Sequence, residues 1–158
     1  MKRAILFLAC AAVIALPAHL SAQAAAPAAA AKGRIIDIDA TDAMKYSVTQ
    51  IQAKPGETVT VRLKVLGKMP KGAMDHNFVL LKEGVNATTF ANESMMAAAT
   101  GYIPAARKGD VIASTPLGSG GQTVEVTFKA PTKAGAYTYL CTFPGHFTAG
   151  MRGTLTVK

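Results

Sequence analysis

The chain has 158 residues, half of them hydrophobic, 16% charged and 6% aromatic, with two Cys, no Trp and a net charge of +8 at neutral pH. That length argues for one folded domain after any targeting segment and against a two-domain enzyme. The apolar content is enough for a real core and excludes a disordered chain, while two Cys are too few for a disulfide-stapled miniprotein.

At the N-terminus Lys2 and Arg3 precede an apolar run from Ala4 to Leu16. Pro17 breaks that run, and Ala22-Gln23-Ala24 then supplies a small-x-small cleavage signal. The pattern predicts a secretory signal peptide over residues 1–24, cut after Ala24. The run is shorter than the roughly 20 residues a membrane-spanning helix needs, so the expected product is exported and soluble. Lipidation at Cys10 is the weaker alternative, because only Ala4 to Ala9 would remain as the apolar stretch before it. Removing residues 1–24 leaves 15 basic residues against nine acidic ones, a net charge of +6, with one cysteine, Cys141, and two histidines, His76 and His146. The basic residues are dispersed, with Lys64, Lys68 and Lys71 separated and no aromatic residues interleaved. This favours a solvated basic face over nucleic-acid binding, and makes an acidic protein partner steered by charge a secondary reading.

Residues 25–32 form an Ala/Pro-rich tail expected to be disordered, and the domain is placed at 33–158. Residues 34–38, 46–51 and 58–65 read as strands, the last with a clean period of two, and Lys54-Pro55-Gly56 joins the second to the third. Further strands fit 78–81, 111–114, 123–128, 136–140 and 154–157. Between the fourth and fifth of these eight strands, Asn86 to Ala99 has the composition of one short helix. Its Asn86-Ala87-Thr88 sequon is a pattern frequent by chance. The expected fold is all-β, an antiparallel Greek-key sandwich of about eight strands with one helical excursion.

The chemistry-bearing residues lie near the C-terminus. Cys141, His146 and Met151 recur at intervals of five in a segment containing Pro144, Gly145 and Gly150, between two predicted strands. His76 starts another strand 65 positions before Cys141. A lone Cys in an oxidising compartment is a free thiol, an intermolecular bridge or a metal ligand. Taken one by one, each residue could equally be ordinary core or surface. Together they recruit the single Cys and both His of the mature chain, and a thiolate, two imidazoles and a thioether suit a blue-copper centre with a weak axial Met. Zinc would accept Cys and His but usually wants four strong ligands. Two His are too few for a multicopper enzyme, a second loop Cys for a binuclear centre is absent, and no Asn or Asp in the loop would orient a Cys–His hydrolase. No enzymatic activity is expected. Met69, Met74, Met95 and Met96 supply further soft donors, as a Cu(I) delivery protein would, but the adjacent pair Met95-Met96 reads as core.

The run Cys141-Thr142-Phe143-Pro144-Gly145-His146, with Met151 and Gly153-Thr154-Leu155-Thr156-Val157, resembles the copper loop and last strand of azurins and auracyanins. Met74-Asp75-His76-Asn77-Phe78-Val79-Leu80 and the stretch Asp110 to Gly120 are similar to their counterparts there. The resemblance implies a cupredoxin fold holding one type 1 copper, with His76, Cys141 and His146 equatorial and Met151 axial. It also implies that Asn77 ties the two ligand segments near Thr142, that the N–H groups of Asn77 and Phe143 face the Cys141 sulfur, and that Phe143, Pro144 and Met74 form an apolar patch around the edge of His146. The sequence departs from azurins in three ways: Asp75 stands where they have Gly, one more residue separates His146 from Met151, and both cysteines of their disulfide are absent. The implied function is a monomeric periplasmic electron carrier cycling Cu(I)/Cu(II) between redox partner proteins. Delivery of Cu(I) without redox turnover is the alternative.

Overall fold

The computed structural model describes residues 33–158, so the signal peptide and the tail lie outside the described residues. Among the described residues nine strands form two sheets: β1 (Arg34–Thr41), β2 (Lys45–Tyr46), β3 (Gln50–Ala53), β4 (Thr58–Val65), β5 (Val79–Leu81), β6 (Val111–Ser114), β7 (Thr123–Lys129), β8 (Gly135–Leu140) and β9 (Arg152–Val157). One sheet has the order β2-β1-β4-β7 and the other β3-β9-β8-β5-β6. Alternation along β4 buries Val59, Val61, Leu63 and Val65 between the sheets, where they meet Phe78, Leu80, Tyr139 and Leu155 from the second sheet.

The eight-strand expectation differs in one place. The segment read as one strand from Tyr46 to Ile51 is two short strands, because the chain changes sheets within it. Tyr46 pairs with Ala40 in the first sheet, and Gln50–Ala53 pairs with β9 in the second. The sandwich is also not wholly antiparallel, since β1 runs parallel to β4 and β3 parallel to β9. Alternation within one strand carries no record of a partner's direction, so this mixed pairing was not readable locally.

The run Val79-Leu80-Leu81 does not alternate because both faces of β5 are covered. Leu80 faces the inter-sheet core, while Val79 and Leu81 pack with Leu140 and Phe147 against Phe90 and Ala91 of a helix, α1 (Ala87–Ser94). Asn86 caps α1, its Oδ1 accepting the N–H of Thr89 at 2.9 Å. The helix stops eight residues on, where Ser94 Oγ donates to the carbonyl of Phe90 at 2.8 Å, and short 3-10 turns follow at Ala98–Thr100 and Ala105–Asp110. Past its last turn Met95 is 47% and Met96 90% exposed, against the expectation that they are core.

Candidate metal centre

Two segments converge at one end of the sandwich. His76 precedes β5 and is anchored by a two-way bridge to Gly118, its N–H donating to the Gly118 carbonyl at 2.9 Å and the Gly118 N–H returning to its carbonyl at 2.8 Å. Cys141 follows β8 directly. Phe143-Pro144-Gly145-His146 then closes a turn in which the His146 N–H reaches the Phe143 carbonyl at 3.1 Å. Pro at the second position and Gly145 at φ 84° suit the type II geometry, which a side chain at Gly145 would strain. The Met151 N–H donates to the His146 carbonyl at 2.9 Å, and the Met151 carbonyl accepts from the Cys141 N–H at 3.1 Å. The loop is thus folded back on itself and fixes Met151 beside both residues.

The ligand atoms of His76, Cys141 and His146 all lie within 4.8 Å of one another, and Cys141 Sγ is 3.4 Å from His146 Nδ1. All three residues are buried, as is Met151. Among the described residues both ring nitrogens of His76 lie buried with no hydrogen-bond partner, although buried polar atoms normally find one. An acceptor nitrogen left bare in a pocket of soft donors is what a bound metal ion satisfies, so this cluster fits copper.

Burial lowers the pKa of His146 to about 4, with the neighbouring His76 adding to the effect. Burial likewise lowers that of His76, against the carboxylates of Asp42 and Asp75. Both imidazoles are therefore neutral at pH 7 and keep a lone pair for a metal. Burial pushes the Cys141 thiol up to about 12, outweighing the backbone N–H groups of Asn77 and Phe143 that stabilise its thiolate. These are the two N–H groups that the sequence resemblance places at the sulfur.

Asn77 joins the two segments as expected. Its Oδ1 accepts the Thr142 N–H at 2.9 Å, and its Nδ2 donates to Thr142 Oγ1 at 2.8 Å. Phe143 lies against His146, with ring centroids 4.8 Å apart, while Pro144 and Met74 are half-buried. The Asp75 carboxylate accepts the Gly72 N–H at 3.0 Å and so closes the turn leading into His76. Sequence reasoning missed three supports. The Tyr46 hydroxyl donates to the carbonyl of Asn77, Thr115 Oγ1 accepts the Phe78 N–H at 3.0 Å, and the Tyr102 ring meets Phe143 edge-on at 5.2 Å. Each comes from a remote strand or turn and has no motif of its own. Positive φ at Tyr102, 61°, marks its turn only once the backbone is known.

A two-sheet sandwich carrying two His, one Cys and one Met at one end defines a cupredoxin with a mononuclear soft-metal centre. Residues 34–158 match the family model described as copper binding proteins, plastocyanin/azurin family, and the chain belongs to that family. It is 40% identical over 117 residues to auracyanin-A of Chloroflexus aurantiacus, spanning 73% of this chain and 68% of that protein. It is also 40% identical over 126 residues to an azurin of Achromobacter denitrificans, spanning 77% of this chain and 82% of the azurin. The solved structure of auracyanin A, titled a "blue" copper protein, superposes with a TM-score of 0.70 at 38% identity, covering 79% of this chain and 98% of that one. An auracyanin from Roseiflexus castenholzii gives a TM-score of 0.70 at 30% identity, covering 81% and 99%. The cofactor is copper, and proteins of this blue-copper family are in general electron carriers rather than enzymes.

Proposed function

We propose that the protein is a monomeric periplasmic electron carrier in which His76, Cys141, His146 and Met151 would together hold one copper ion. The observation that carries this reading is His76, whose two ring nitrogens are buried without a partner and one of which lies within 4.8 Å of the Cys141 and His146 donor atoms. Copper, once bound, supplies a one-electron couple between Cu(I), which favours sulfur, and Cu(II), which accepts imidazole.

The chain's own residues do the rest. The Gly118 bridge and the Asn77–Thr142 pair hold the His76 and Cys141 segments at fixed separation, which opposes rearrangement when the charge at the site changes. Burial excludes water from the donors. Phe143 and Pro144, half-exposed beside His146, offer a short apolar path from the site to a partner's surface. The leader-like residues 1–24 support export to the periplasm.

Electron self-exchange tests the reading, measured by NMR line broadening in mixtures of the copper(I) and copper(II) forms. A carrier exchanges rapidly and keeps its copper through repeated cycles. Loss of copper to a Cu(I) chelator on each reduction would contradict it and indicate delivery instead.

A further inference from the structure

Ion pairs join Arg34 to Glu57, Arg62 and Lys64 to Asp37, Arg107 to Glu93 and Asp110, and Lys133 to Glu83. Among the described residues the remaining nine cations, all exposed, enter none, and four of these are Lys45, Lys68, Lys71 and Arg152. These four flank the two segments that bring in the donors. Lys45 Nζ donates to the Ala149 carbonyl at 2.6 Å, inside the loop between Cys141 and Met151. The Arg152 guanidinium lies 4.9 Å over the ring of Phe147, next in sequence to His146. Lys68 and Lys71 stand on the segment that leads into His76. The nearby carboxylates turn onto backbone, Asp42 onto the Lys68 N–H at 3.1 Å and Asp75 onto that of Gly72 at 3.0 Å. Half-exposed Phe143, Pro144 and Met74 belong to the same end.

We infer that this basic collar is the docking surface for an acidic redox protein, whose carboxylates meet Lys45, Lys68, Lys71 and Arg152 while its redox centre faces the His146 side. The inference rests on the electron-carrier reading of the same end of the molecule. A charged rim around an apolar centre is the anatomy of a fast, transient complex. The rim steers and orients the encounter, and the centre allows close approach without desolvating a charge. The chain's net positive charge acts at long range on an acidic partner, and the collar gives that attraction a direction.

The test titrates the 15N-labelled copper(I) protein with the soluble haem domain of cytochrome b5, an acidic electron-transfer protein used as probe. Amide shifts should gather at Lys45, Lys68, Lys71, Phe143–Gly145 and Arg152, and should vanish in high salt. Lys68→Glu with Lys71→Glu should weaken binding roughly tenfold or more. Lys129→Glu with Lys158→Glu makes the same change in net charge at the far ends of β7 and β9 and should have a much smaller effect. Equal weakening by the two double variants, or shifts spread over the far end, would overturn the proposal, since net charge alone would then suffice. Docking at the collar by a protein that loses copper on reduction would support this surface and count against the carrier reading alone.

Discussion

The side-chain amide of Asn77 spans the two halves of the metal centre, giving Thr142 one hydrogen bond at 2.8 Å and taking another at 2.9 Å. Asn77 follows His76 and Thr142 follows Cys141, so this pair fixes the distance between two donor-bearing segments 65 positions apart. Both residues are buried. Asn77→Ala leaves the Thr142 N–H and hydroxyl without partners in a dry interior and should cost about 2–4 kcal/mol. Denaturant unfolding of the metal-free protein measures this. A loss below about 0.5 kcal/mol would mean that the tie holds nothing.

Removing individual donors separates their roles. Cys141→Ser should abolish the intense thiolate-to-copper absorption while leaving the fold intact. Met151→Leu should keep a coloured site and raise its reduction potential, because an apolar group in place of a weak donor disfavours the more highly charged Cu(II). Absorption spectra and voltammetry read the two effects. A Cys141→Ser protein that stayed blue would remove Cys141 from the centre.

Proton release follows from the buried groups. At pH 7 the Cys141 thiol, pushed up to about 12, is protonated, and His146, lowered to about 4, is neutral. A metal takes the thiolate and a neutral imidazole, so copper uptake should release one proton near pH 7, and affinity should rise with pH. Below about pH 4 the release should rise towards three, as both imidazoles must then also lose a proton. Calorimetric titration in buffers of different ionisation enthalpy counts these protons. Uptake at pH 7 without proton release would show that the thiol is not a ligand.

Gly153 tests how tightly β9 seats the end of the copper loop. A Cβ there would overlap the hydroxyl end of Tyr139 and lie 2.6 Å from the Thr49 carbonyl oxygen. Tyr139 cannot simply swing away, because it is buried and its hydroxyl donates to Val48 at 2.7 Å. Gly153→Ala should therefore destabilise the domain by about 1–3 kcal/mol in thermal or denaturant unfolding. A neutral result would mean that β9 can shift away from Tyr139.

The four residues proposed as donors stand out in the sequence because their chemistry is scarce. One Cys and two His in the mature chain, with Met151 at the same interval of five, left few ways to account for all of them. The strands were legible where one face is wet, as in β4. The helix was legible from its Asn86 cap, though not its end, where the Met95 N–H turns to the Asn92 carbonyl. What escaped was non-local. Nothing between Tyr46 and Ile51 announces a change of sheet, and Lys45, Lys68, Lys71 and Arg152 look dispersed until β2, β9 and the segment between β4 and β5 are assembled. The exposure of Met95 and Met96 shows the converse limit, since an apolar residue past a helix end need not reach the core.

The most direct test is the visible absorption spectrum of the purified protein with one equivalent of Cu(II), repeated after ascorbate and again after a mild oxidant. An intense thiolate-to-copper band that bleaches on reduction and returns on oxidation is the result predicted for His76, Cys141, His146 and Met151 acting as one reversible centre. A protein that stays colourless, or whose colour does not return, would contradict it.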